Sequence, residues 1–183
     1  MSCDITRGRL EPCKDGVGGL KAVYFVNKGD IDVAGITYDV TDTDVITSAG
    51  TAIAAYKFDI RGASTYTENI QSSRENGTTT FEQVLELQLT KLTKEDHKTI
   101  KLLAYGSPSI LVEDNNGNVF LAGKEHGCDI SGGTIVSGAS MSDMSGYTLT
   151  FSGMEREPAN FLQDAGSGEA SVTGAGFAIT AGA

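Results

Sequence analysis

The chain has 183 residues, a net charge of −10, 23 glycines, three prolines and no tryptophan. That length suits one domain with a sizeable core, and the charge argues against electrostatic capture of nucleic acid, which needs clustered Lys and Arg. No window approaches the ~20 apolar residues of a membrane-spanning helix. Met1 to Ile5 lacks the basic and apolar regions of a signal peptide, so use without export through a membrane is expected. Cys3, Cys13 and Cys128 are too few for a disulfide scaffold and are read as reduced thiols.

Runs rich in Thr, Val, Ile and Tyr between Gly and Asn punctuation predict a β-dominated fold. The first strand is expected over 19–27 (GLKAVYFVN), followed by an acidic loop or weak hairpin over 30–44. Residues 54–61 alternate, with Tyr56, Phe58 and Ile60 on the core face and Lys57 and Asp59 outside. The polar stretch 62–80, with an Asn76-Gly77 turn and only Tyr66 and Ile70 as apolar anchors, is expected to be the protruding tip of a long hairpin. Its returning arm, 81–91, places Phe81, Leu85, Leu87 and Leu89 on one face and Glu82, Glu86 and Gln88 on the other.

A single helix is predicted from Thr93 to Tyr105. Thr93 is its N-cap, Glu95 and Asp96 occupy the first turn, Ile100, Leu103 and Ala104 form the buried stripe, and Gly106 and Pro108 end it. A hairpin follows, 109–114 and 118–123 around Asn115-Asn116-Gly117, then strands at 133–137 and 146–155 with Tyr147, Leu149 and Phe151 inward. The tail 164–183 is rich in small residues, but Val172, Phe177 and Ile179 suggest a C-terminal arm or edge strand.

Signals for chemistry are sparse. Two histidines restrict acid–base and nucleophilic catalysis, and His97 should be solvated. His126 with Cys128 and Cys13 makes a metal site conceivable, yet no CxxC or HxxxH spacing supports one, so neither metal nor cofactor is expected. The Gly16-Val-Gly-Gly19 run precedes a strand, whereas phosphate loops follow one; it is read as a turn that lets the N-terminal segment approach a neighbour. From Gly106 onward nine carboxylates face only Lys124 and Arg156. The aromatic residues fall on predicted core faces without interleaved Arg and Lys, which does not suit single-strand binding.

The run over 110–162, with ILVEDNNGNVFLAGKEHGCDISGG and SDMSGYTLTFSGMEREPANFL, resembles phage tail tube (major tail) proteins. The opening SCDITRGRLEPCKDGVGGLKAVYFVN is similar to the start of such proteins from phages of Bacteroidetes-like hosts. The resemblance implies a β-sandwich or barrel with a flanking α-helix, a long hairpin excursion and extended terminal arms. It also implies a non-enzymatic virion protein, assembled in the host cytoplasm into the tail. Its partners would be itself, in stacked and usually hexameric rings, and other virion proteins, with DNA passing through without specific binding. A capsid decoration or other head protein is the alternative, then the tube of a contractile injection system. An enzyme on a β-scaffold comes third. Glu68, Glu75, Glu82 and Glu86 are the candidate lumen-facing or intersubunit residues, Glu82 and Glu86 foremost. Lys94, Lys98 and Lys101 make the helix basic and place it outside.

Overall fold

A computed structural model describes residues 8–10, 13–61 and 63–181. The fold is mainly β, with two sheets packed face to face and no closed barrel. The larger sheet has the order β12-β4-β1-β7-β8-β11-β3-β2, from strands β1 (Leu20–Val26), β2 (Thr37–Tyr38), β3 (Val45–Ser48), β4 (Ile53–Asp59), β7 (Ser109–Asp114), β8 (Val119–Ala122), β11 (Asn160–Leu162) and β12 (Phe177–Ala181). The smaller has the order β5-β6-β10-β9, from β5 (Thr65–Ser73), β6 (Thr78–Thr90), β9 (Asp129–Val136) and β10 (Gly146–Glu155). Helix α1 (Lys94–Tyr105) flanks the sandwich, and α2 (Gly168–Gly174) precedes the last strand.

The near-continuous apolar run of β1 follows from burial on both faces. Val23 and Phe25 meet Leu85, Leu87, Tyr147, Leu149 and Phe151 of the smaller sheet, and the Phe25 ring lies 5.1 Å from Phe58 and 5.2 Å from Phe151. Ala22, Tyr24 and Val26 face the other way, into a core shared with Ile46, Leu121, Leu162, Val172 and Phe177. One cluster thus collects side chains from nearly every strand of the larger sheet, because that sheet curls around it. Each such side chain, fully buried, contributes about 1.5–3 kcal/mol. The curl brings the β3–β4 connection against the start of β12: Ala49 N donates to Ala175 O at 2.8 Å and Ile53 N to Gly176 O at 3.1 Å. Gly176 sits at φ +96°, and a Cβ there would collide with the Gly50 carbonyl, so this junction requires glycine.

Several elements depart from the sequence reading. On β4 each face meets a core: Ile53 and Ala55 are buried on the side that carries Lys57, and Phe58, followed by Ile60, packs partly buried on the other as expected, but Tyr56 on that other side is exposed. Lys57 is held there by Asp59, 3.0 Å away, and by Glu169 of α2. Ala104 of α1 is exposed, leaving Ile100 and the half-buried Leu103 to anchor the helix against the intersheet core. The tail is the edge strand rather than an extended arm, since Val172, Ala175 and Phe177 are buried in the chain's own core. The N-terminal arm falls largely outside the described residues, but Val17 and Gly18 are bound to the β7–β8 turn through Asn115 and Asn116. Gly16 to Gly19 is therefore a tether to the chain's own hairpin.

Candidate functional site

The hairpin of β5 and β6 pairs without interruption from Thr65↔Glu86 to Ser73↔Thr78, around the turn at residues 74–77. Strand β10 accompanies β6 only as far as Phe81, so the part standing free of the sheet is 71–80, shorter than the expected 62–80. Residues before it belong to the body. Ser64 is buried, with its Oγ accepting from Gln88 N at 3.0 Å, and the Tyr66 ring stacks 6.1 Å from Phe120. Gly62 lies outside the described residues.

Strand alternation divides the four acidic candidates. Leu85, Leu87 and their partner Tyr66 face the core, and Glu68, two residues along from Tyr66, shares that face. Its Oε1 accepts from the Tyr66 hydroxyl at 2.6 Å and from Ala159 N at 2.9 Å. Burial first, and then this carboxylate, push the Tyr66 phenol well above its ordinary pKa. Glu68 is thus an internal tie. Glu75 is exposed in the turn at the hairpin tip. Glu82 and Glu86 lie together on the outer face, about 13 Å apart along the strand. Glu86 is exposed, and Glu82 accepts from Gln71 Nε2 at 3.1 Å.

The register gives these two carboxylates their surroundings. Asn69, Thr67 and Thr65 of β5 flank Glu82, Val84 and Glu86 on one side. Met154, Ser152 and Thr150 of β10 flank them on the other, and Thr134 of β9 lies opposite Thr148 beyond. The result is a lawn of hydroxyls and amides. Not one of the four strands contains Lys, Arg or His; their charged residues are Glu68, Glu82, Glu86, Asp129 and Glu155. Among the described residues no strand pairs with the outer edge of β5 or of β9. The three helix lysines, by contrast, are all exposed on α1.

The metal-ligating candidates do not come together as the sequence order suggests. Cys128 is buried in the intersheet core, where burial and then the Glu155 and Asp129 carboxylates raise its thiol to about 12; Cys13 is exposed. His126 instead approaches Glu125 and Glu155, the ligand atoms of the three lying within 4.8 Å of one another. Glu155 is already occupied by the protein. Its Oε1 accepts from the amides of Glu125 and His126 at 3.0 and 2.9 Å, and Oε2 lies 3.2 Å from His126 Nδ1. These bonds compensate a carboxylate only 4 % exposed and fix the β8–β9 connection to the end of β10.

Reasoning from sequence missed a second buried carboxylate. Glu113, fully buried in β7, receives Lys21 Nζ at 2.5 Å and the Tyr24 hydroxyl at 2.7 Å beneath the start of α2. Only the register of β1 against β7, with Ala22 opposite Glu113, brings these donors to it. No protein-family model matches the chain, and neither a curated protein nor a solved structure is found to be similar to it.

Proposed function

We propose that the protein is a structural subunit whose copies join along the free edges of the smaller sheet, close into rings and stack into a tube whose bore passes DNA. The carrying observation is the four-stranded sheet without a single basic residue, which among the described residues is uncovered on one face and open at both edges. A free edge presents unpaired N–H and C=O groups to a second strand, and β5 has neither the lysine nor the proline that commonly blocks such pairing. Joined edge to edge, the sheets would turn Glu82, Glu86 and their Thr, Ser and Gln neighbours to one continuous wall. Such a wall repels phosphate and offers it no counter-charge, which suits rapid passage. The resemblance to tail tube proteins supports the same reading, and α1 with its lysines would stand away from the bore.

Electron microscopy of the purified protein at high concentration, together with sedimentation velocity, tests the proposal. Stacked rings are expected. Dispersed monomers under all salt conditions, or particles that attach only to capsids, would overturn it in favour of a free protein or a head decoration respectively. Orientation is read with cysteines placed at Glu86 and, in a separate variant, at the exposed Lys94. In intact tubes a bulky maleimide should reach position 94 and be excluded from position 86.

A further inference from the structure

Helix α1 turns an apolar and basic strip outward. Leu102 is 63 % exposed and Tyr105 82 %, with Lys98 one turn before the first and Lys101 one turn before the second. Beside the strip, Leu102 and Leu103 join Phe25, Tyr56, Phe58 and Pro108 around an open groove of about 510 Å³, with Lys28 also on its lining. Among the described residues neither Lys98 nor Lys101 takes part in an ion pair. An uncovered apolar groove beside unpaired lysines is exceptional on a chain of net charge −10.

The same chain carries a matching projection. Val40 is fully exposed at the crest of a loop that also holds Asp39, Asp42 and Asp44. The loop is already ordered. Asp39 Oδ1 accepts from Thr41 N at 2.7 Å and from Asp42 N at 3.3 Å, Asp42 Oδ1 accepts from Asp44 N at 3.2 Å, and Asp39 N donates to Val45 O at 2.9 Å. The amide bonds from Thr41 and Asp42 hold the Asp39 carboxyl below its ordinary pKa, so it stays charged near neutrality. A rigid apolar side chain among fixed aspartates loses little conformational freedom on docking.

We infer that the α1 groove of one copy receives the Val40 loop of a second copy, the valine entering beside Leu102 and the aspartates facing Lys98, Lys101 and Lys28. The inference rests on the self-assembly reading above and adds to it a contact made by the other side of the molecule. Loop and groove are different patches, so a pair joined by one such contact keeps one unused loop and one unused groove. Such a contact propagates rather than closing as an isolated dimer. It gives the assembly a second direction of growth, independent of the β5 and β9 edges.

The test places a photoactivatable benzoylphenylalanine at position 40 in full-length protein and mixes isotopically light and heavy chains before assembly and irradiation. Mass spectrometry should find mixed-isotope crosslinks from position 40 to 94–105. Leu102→Glu, at an exposed position, should lower their yield roughly tenfold or more through lost burial and an added like charge. Lys98→Glu with Lys101→Glu should weaken them in a salt-dependent manner. Assemblies that form without these crosslinks, crosslinks confined to one chain, or yields unchanged by Leu102→Glu each overturn this contact and leave the sheet-edge reading standing. Failure of the unmodified protein to assemble at all overturns both.

Discussion

Replacing Tyr24 by Phe removes one oxygen from a wholly buried position and leaves Glu113 Oε2 without its donor. The ring still fills its place, so the change isolates the hydrogen bond. A bond to a charged partner contributes about 1.5–3 kcal/mol net. The larger cost of a stranded buried charge, about 3–5 kcal/mol, does not apply, because Lys21 still reaches Oε1 at 2.5 Å. Lys21 is itself half exposed and partly screened, so it cannot take over the second oxygen. A loss of about 2 kcal/mol is therefore expected, or roughly 4–8 °C in Tm for a domain of this size. Urea unfolding at neutral pH measures it, with the slope unchanged if only stability is altered. In a Glu113→Leu background the same replacement should cost far less, which assigns the loss to the pair. If Tyr24→Phe changes stability by less than about 0.5 kcal/mol, the account of Glu113 as a carboxylate held by two protein donors is wrong.

Introducing Lys at Glu82 and Glu86 together should leave the subunit folded, since both lie on the outer face, yet make tubes bind DNA with an affinity that falls steeply as salt rises; filter binding across a salt series checks this, and salt-independent behaviour counts against a bore lined by this sheet. Cys128, with its thiol raised to about 12 by burial, should resist iodoacetamide at pH 8 in the native protein and react once urea exposes it, whereas exposed Cys13 should react at once; peptide mass mapping distinguishes them. Burial opposes ionisation of Asp114, but bonds from Asn116 and Asn118 outweigh it and hold its carboxyl below the usual value. Its contribution is thus present above about pH 4 and lost as the pH falls through the depressed value, and Asp114→Asn should cost about 1 kcal/mol or less at pH 7 and progressively less as the pH is lowered below about 4, as read by denaturant unfolding across pH.

Long, strongly patterned elements were legible in the sequence. Strand β10 spans Gly146–Glu155 as its alternation predicts, and α1 begins at Thr93, whose hydroxyl accepts from Asp96 N at 3.0 Å as the capping box requires. The Asn115-Asn116-Gly117 turn is present, with Gly117 at φ +89°. Short elements were not legible. β3 and β11 have four and three residues, too few for a period, and they exist because each pairs in parallel with the other across the sheet. Five of the seven residues of α2 are Gly, Ser, Thr or Val, poor helix formers, and the helix is held by the burial of Val172 and by Ser167 capping Ala170 N. The candidate carboxylates were half legible. Alternation along β6 placed Glu82 and Glu86 outside, but Glu68 lies in a stretch whose polarity concealed which face meets the core, and only the pairing of Tyr66 with Leu85 settles its direction.

Charge is partitioned between the two sheets by function as well as by position. The larger sheet uses buried and half-buried ions internally: Lys21 and Tyr24 on Glu113, and Lys57 on Asp59 and Glu169, fasten the last helix and strand to the core. Every cation there has a partner, so these charges set geometry and offer little to an outside ligand. The four strands of the smaller sheet contain no cation, and their inward carboxylates, Glu68 and Glu155, are held mainly by hydroxyl and amide donors, with the His126 ring from the β8–β9 connection beside Glu155. That choice keeps lysine and arginine off the sheet altogether. Had Glu155 been balanced by a lysine on β6 or β10, strand alternation would allow a single-residue register slip to turn that cation outward. Balancing it with backbone amides, which cannot leave the fold, gives an outer face whose sign is insensitive to such slips. A surface that must never retain a polyanion needs this kind of construction more than a surface that only needs to be soluble, for which interspersed charges of both signs serve as well.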